Sequence, residues 1–139
     1  FGVLGSSEFC FETALNYSQD RKLFNQVLSE KQLLQMKLAN MTTEWNLAFL
    51  SCLHVSEQLD NGNCSPEMIS LIKRNSCSKS LDISRTCRDI LGGNGISEEY
   101  QIFYLAQVYL LIFHYYILLH QNLKKIFLKL FLFLNNLLM

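Results

Sequence analysis

The residues best placed by type and spacing to do chemistry are Asp89-Ile90-Leu91-Gly92-Gly93-Asn94-Gly95-Ile96. Three glycines within four residues leave bare backbone there. Main-chain N–H groups without a neighbouring Cβ can approach a phosphate or a flat cofactor closely. The competing reading is structural, because glycine after a helix is commonly a C-cap. A second pair, Cys52 and His54, offers two metal-ligand types, but at a spacing that suits ordinary helix residues better. The five cysteines contain no C-x-x-C pair, which argues against a zinc site or a disulfide framework and for a reducing, intracellular setting. No metal site is expected.

The elements that must carry the glycine turn are helical. With one proline and six glycines in 139 residues, the chain can run long helices and lacks the turn residues of a β-rich fold. Residues 2–18 read as a helix with Leu4, Ser7, Phe11, Ala14 and Ser18 inward, widened by Phe9 and Tyr17. Gly2 and Gly5 would admit a close neighbour, and Gln19–Lys22 is a polar break. Over residues 28–60, Leu34, Leu38, Met41, Trp45, Ala48, Cys52, Val55 and Leu59 alternate steps of four and three. That pattern marks a long bundle helix. Ser29 is the candidate cap, and Asp60-Asn61-Gly62-Asn63 the stop. Ser65-Pro66-Glu67 opens the next helix with a cap, a first-turn proline and an acid. Its inner face runs Ile69, Ile72, Ser76, Ser80, Ile83, Cys87 and Ile90, with small residues that permit close contact, and it ends at Leu91-Gly92. The predicted fold is all-α, an up-down helical bundle over residues 1–101, with a separate apolar tail at 102–139 in place of a fourth helix.

Charge divides the chain in the same place. Residues 1–101 carry nine Lys/Arg against twelve Asp/Glu, whereas 102–139 carry three Lys and no acid. Neither part has the basic excess of a nucleic-acid binder. The tail lacks Gly, Pro, Ser, Thr, Asp, Glu, Arg, Cys and Trp, and its residues are mostly those of A/T-rich codons. Three readings apply to it: a translated intron or frameshift, a membrane anchor using residues 102–119, or a divergent fourth helix. The first is preferred. The chain opens at Phe1 within an apolar pattern, which reads as a fragment whose upstream part is missing.

Several motifs carry a more specific resemblance. They are Gly2-Val3-Leu4-Gly5-Ser6-Ser7-Glu8-Phe9-Cys10, Asp20-Arg21-x-x-Phe24 and Gln32-x-x-Gln35-x-Lys37-Leu38-Ala39. Pro66 through Asn75, Leu81-Asp82-Ile83, Arg88-Asp89 and Leu91 through Ser97 complete the set. In order and spacing, Phe1–Ile102 resembles the C-terminal helical domain of the acyl-CoA dehydrogenases, nearest the glutaryl-CoA dehydrogenase branch. The resemblance implies FAD as cofactor, an acyl-CoA substrate, a homotetramer, and electron-transfer flavoprotein as acceptor. It also implies the mitochondrial matrix and lysine and tryptophan degradation.

By the same resemblance, Arg21 contacts the flavin pyrophosphate, where a guanidinium offers bidentate and permanently charged donors. Gln32 adds an amide contact, Phe24 packs beside the cofactor, and Asp89, Ile90, Leu91, Gly92 and Gly93 lie along the dinucleotide. Two positions depart from the family pattern. Asn25 stands where glycine is usual, and Val27 where proline is common. Asn tolerates a left-handed backbone, so the turn can survive. The larger departure is chemical. The family's base is a Glu in a Glu-Gly-Thr sequence after a further helix, and no acid follows Glu99 here. No catalytic residue is assigned, because acid–base work needs a positioned base. The expectation is a fragment of a flavoenzyme, inactive alone. The alternatives are a non-catalytic helical interaction module and a membrane-tethered helical protein.

Overall fold

The computed structural model describes residues 1–108. The first helix, α1 (Gly2–Asp20), buries Leu4, Ser7, Cys10, Ala14 and Ser18. Cys10 takes the fully buried place on this inner line, Phe11 packs half-buried against the same core, and Phe9 is 45% exposed. The reason lies opposite. α3 (Pro66–Leu91) presents Ser76, Ser80, Ser84 and Cys87 as buried small residues, and α1 packs against α3 more extensively than any other pair of elements. A phenyl ring on the shared line would push the two helices apart. The hydroxyls in the seam are satisfied locally. Ser7 Oγ donates to the Leu4 carbonyl at 2.8 Å, Ser84 Oγ to the Ser80 carbonyl at 2.8 Å, and Ser80 Oγ to Ser7 Oγ at 3.3 Å. Such pairing removes most of the cost of burying a polar group. Among the described residues nothing comes within 4 Å of a Cβ built on Gly2 or Gly5, so none of them makes the close approach expected there.

Between α1 and α2 (Gln32–Asp60) the chain makes a short antiparallel ribbon in place of a plain polar break. Strand β1 (Lys22–Leu23) pairs with β2 (Gln26–Val27), Lys22 opposite Val27 and Leu23 opposite Gln26. Phe24 and Asn25 form its two-residue turn at φ 54° and 61°. Two consecutive left-handed residues are what a tight turn of this twist requires. Asn25 therefore adopts the left-handed backbone expected of it. Val27 sits at φ −69°, a value that proline would also take.

A 3₁₀ turn at Leu28–Glu30 follows, and α2 begins at Gln32 with Lys31 before it. Ser29 does not cap α2. It lies within the 3₁₀ turn, and its carbonyl accepts a hydrogen bond from Gln35 Nε2 at 3.2 Å. Along α2, Leu34, Met41, Ala48, Cys52 and Val55 are buried, as the repeat predicts, whereas Leu59 is 58% exposed beyond the end of the seam. Trp45 anchors α2 to α1, its Nε1 donating to the Leu4 carbonyl at 3.0 Å.

The helix stops at Gly62 (φ 71°), where the Asn63 N–H reaches the Gln58 carbonyl and the Gly62 N–H the Leu59 carbonyl. This is the glycine-terminated Schellman arrangement. Ser65 then caps α3, accepting from the Met68 N–H at 3.4 Å, with Pro66 in the first position. The inner face of α3 is as read from Ser76 to Ile90, but Ile69 at its start is 44% exposed. After Leu91 come two 3₁₀ turns, Gly92–Ile96 and Glu98–Tyr100, and a helical stretch over 102–108. In it Ile102 and Ala106 are buried, Ile102 against the core of Cys10, Ala14, Ile83 and Cys87. The fold is thus an all-α bundle with one small ribbon. Among the described residues no helix is long and apolar enough to cross a membrane. The proposed span of 102–119 and the choice among the three readings of the tail fall mainly on residues 109–139, outside the described residues.

Candidate functional site

Arg21 caps the C-terminus of α1, its N–H bonded to the Tyr17 carbonyl at 2.9 Å. Its own carbonyl accepts from the Leu28 N–H at 2.8 Å, which closes the base of the ribbon. The backbone is therefore fixed at both sides while the side chain stays exposed. Beside it lies an open cleft of about 440 Å³ lined by Thr13, Asn16, Tyr17, Asp20, Arg21 and Tyr100. Tyr17 and Tyr100 meet edge to face with ring centres 5.7 Å apart. Tyr17 also reaches the glycine loop, because Asn94 Nδ2 donates to its hydroxyl at 3.1 Å. Tyr17 and Asn94 thus link the arginine end of α1 to the loop after α3. Neither was singled out as a site residue from sequence. The position of Asn94 between Gly93 and Gly95 was the available signal for one, and nothing local marked the other.

The loop itself is built on two glycines with different physical roles. Gly92 takes φ 58° and ψ −128°, a backbone region that side chains disfavour. Gly95 is held by contact, since a Cβ there would lie 2.4 Å from the Arg88 carbonyl oxygen. Gly93 is open, with nothing among the described residues within 4 Å of its missing Cβ. Gly92 and Gly93 are exposed, so a ligand can reach this main chain. Ile90 and Leu91 are core residues, 9% and 3% exposed. Their side chains are committed inward, which leaves only main-chain atoms for a ligand.

Asp89 points elsewhere. Its carboxylate pairs with the ammonium of Lys37 on α2, at a second cleft of about 320 Å³ that Asn40, Met41, Arg85 and Thr86 also line. The pairing offsets a negative charge that would repel a phosphate. Gln32 opens α2 and is exposed, and it lines neither cleft. Phe24 is 95% exposed at the tip of the ribbon, so among the described residues it packs on nothing. The sequence-derived residues therefore fall into an Arg21 and glycine-loop group joined through Tyr17 and Asn94, an Asp89–Lys37 pair, and two projecting side chains.

Three buried cysteines offer little reactivity. Burial pushes the thiols of Cys10, Cys77 and Cys87 above their ordinary values, Cys87 most strongly, with the neighbouring Cys10 adding to the effect there. All five are free, and the described residues contain no group of three potential metal ligands.

Residues 1–117 match the family model of the acyl-CoA dehydrogenase C-terminal domain. Among solved structures, the chain is similar to a glutaryl-CoA dehydrogenase from Mycobacterium smegmatis, with a TM-score of 0.81 and 40% identity over 84% of this chain. A structure of a glutaryl-CoA dehydrogenase from the same organism in complex with FADH2 gives a TM-score of 0.81 and 39% identity over 84% of this chain. A 3-(aryl)acrylate reductase of Clostridium sporogenes is 30% identical over 100 residues, 72% of this chain. The chain spans 26% of that reductase and 30% of each mycobacterial chain.

Proposed function

The chain belongs to the acyl-CoA dehydrogenase family, and on that premise we propose that it is the flavin-contacting and subunit-contacting helical part of an FAD-dependent oxidoreductase. The family's cofactor is FAD. The substrate of the whole enzyme is an acyl-CoA, and glutaryl-CoA is the specific reading. It would be dehydrogenated between its α and β carbons and decarboxylated to crotonyl-CoA. The 40% identity to a glutaryl-CoA dehydrogenase supports that choice over the aryl-acrylate chemistry of the more distant relative. Electron-transfer flavoprotein as acceptor, a homotetramer and the mitochondrial matrix belong to the same reading and rest on the motif resemblance.

The observation that carries the proposal is the coupling of Arg21 to the glycine loop through Tyr17 and Asn94. The residues present fit a dinucleotide. An exposed guanidinium, accessible main chain at Gly92–Gly93 and an acid already neutralised by Lys37 suit a pyrophosphate. Arg21 would hold the phosphates, and the glycine main chain would let them approach. Gln32 could offer an amide donor and acceptor. When bound, the flavin supplies the hydride acceptor. This chain contributes binding and orientation, and it holds no acid after Glu99 to remove a substrate proton.

Fluorescence titration of the purified 139-residue chain with FAD tests the reading. Saturable binding is expected, with Arg21→Ala weakening it at least tenfold, in line with the loss of a charge-assisted contact of about 1.5–3 kcal/mol. Turnover of glutaryl-CoA by this chain alone is not expected. Equal FAD affinity in the wild type and Arg21→Ala would remove Arg21 from the site.

A further inference from the structure

The three long helices each bring one sulfur to the same part of the core. Cys10 of α1, Met41 of α2 and Cys87 of α3 belong to one buried cluster, at 0%, 4% and 0% exposure. Cys87 Sγ lies 3.7 Å from Met41 Sδ. Cys10 Sγ lies 3.8 Å from Ser84 Oγ. Ser84 stands three residues before Cys87, so the two are neighbours on one face of α3. After burial itself, the charge of Cys10 is the next influence that raises the Cys87 thiol, which puts these two sulfurs within electrostatic reach of each other. The flavin reading uses none of the three.

No three of His, Cys, Asp and Glu gather among the described residues as a metal site. A thioether enlarges the set, but only for a soft ion, because thiolate and thioether sulfur select ions such as Cu(I) over hard cations. Zinc also accepts thiolates, yet it takes four ligands in a structural site, and this cluster offers three. Metal–thiolate bonds of about 2.3 Å around a trigonal ion put the sulfurs about 4.0 Å apart. The 3.7 Å between Cys87 and Met41 is an ordinary sulfur contact that lies close to this ligand spacing. An ion can therefore enter with only a slight parting of the side chains.

Charge favours a monovalent ion. The only buried polar residues among those described are serines, so nothing in the core balances an excess charge. On binding, the Cys87 S–H bond breaks, a metal–sulfur bond forms and the proton leaves to water, with no change of oxidation state. Met41 and Cys10 donate lone pairs. One thiolate and one monovalent ion then leave no net charge in the core, where an unbalanced one would be costly. Access comes from the α2 side. Met41 lines the open cleft of about 320 Å³ that Lys37, Asn40, Arg85, Thr86 and Asp89 surround. Its thioether is the point where that cleft meets the buried sulfurs, which supplies the entry path a metal site needs.

We propose that Cys87, Met41 and Cys10 form a buried three-sulfur site for a soft monovalent metal ion, Cu(I) foremost, entered through the cleft at Met41. The ion ties α1, α2 and α3 together, so occupancy stabilises the bundle. The site stands on the core alone, and flavin binding can succeed or fail independently of it.

The test uses the reduced full chain under argon in a Cys64→Ser background, because the other native cysteines are buried. Cu(I) is supplied as its bicinchoninate complex. One equivalent should pass to the protein, read as loss of the complex's visible absorbance, and the thermal unfolding midpoint should rise. X-ray absorption at the copper edge should show three sulfur neighbours at about 2.3 Å. Met41→Leu keeps the volume of the core. It should weaken binding by roughly tenfold or more and leave two sulfur neighbours. Cys87→Ala should abolish binding, whereas Cys77→Ser, at a buried cysteine outside the cluster, should leave it unchanged. Unchanged helical circular dichroism is the control for folding in each variant. A folded wild type that takes no Cu(I) even at the lowest ratio of competitor overturns the proposal. So does transfer that either Met41→Leu or Cys87→Ala leaves unaltered, which would place the ion on other cysteines, and so does binding that appears only as the helical signal is lost.

Discussion

The α1–α3 seam and the rim formed by Arg21, the ribbon and the glycine loop lie at opposite extremes of the same small bundle. In the seam, Cys10, Ala14, Ser80 and Ser84 are fully buried, and the hydroxyls of Ser7, Ser80 and Ser84 have partners within the seam. At the rim, Phe24 is almost wholly exposed with a left-handed backbone, Arg21 projects outward, and Gly93 faces open space. The seam is complete in itself. The rim holds strained backbone and exposed functional groups that add little to this chain's own stability. Strain and exposure of this kind persist where a surrounding structure fixes them, and they concentrate where ligands bind. The division suggests that folding and flavin contact can be perturbed separately.

Four substitutions would break or sharpen that division, in falling order of effect. Ala14→Leu forces three extra heavy atoms into the seam and should destabilise the fold by about 3 kcal/mol, the upper part of the usual range for overpacking. Urea denaturation would show it, and a loss below about 1 kcal/mol would mean that the seam is looser than its burial implies. Gly95→Ala lies where rim meets core, and its Cβ would strike the Arg88 carbonyl. A cost of about 2 kcal/mol is expected, together with weaker FAD binding as the loop shifts. Phe24→Ala should change stability by less than about 0.5 kcal/mol, because the ring is 95% exposed. Any effect it has should appear in flavin binding or assembly.

The smallest effect belongs to Tyr104. The hydrogen bond to Glu98 at 2.8 Å and the carboxylate's charge hold this phenol above its ordinary value. A raised folded value means the neutral phenol is favoured in the fold. Its contribution is therefore complete below the unfolded pKa and disappears as pH rises through the folded one. Comparing ultraviolet titrations of wild type and Tyr104→Phe would reveal a late-titrating tyrosine, and an ordinary titration would mean the Glu98 contact does not persist in solution.

Much of the bundle was legible because its signals are local. The four-three repeat of α2, the Ser65-Pro66 start of α3 and the Gly62 stop each act within a turn or two of chain. Gly92 was recognisable as a helix terminus for the same reason, and its positive φ agrees. The site was less legible. Arg21, Gln32 and Phe24 were found through motif resemblance, and nothing in their local spacing distinguishes them from solvent-facing residues. Ser29 looked like a cap by type, yet the chain reaches α2 through a 3₁₀ turn that places it too early.

The sequence by itself determined where helices begin, where they end and which broad face turns inward, since these follow from propensity, capping chemistry and a period of 3.6 residues. Tertiary structure decided the choices that need a neighbour. It gave the fully buried place to Cys10 beside a half-buried Phe11, because α3 brings small residues to that line. It made Leu91 core, because Cys10 and Ala14 of α1 and Ile102 of the helical stretch at 102–108 join it in one buried cluster. It also brought Tyr17 to Asn94 across 77 positions of chain, a separation over which no local pattern specifies a contact. Only the packing of α1 against α3 could join the arginine to the glycine loop.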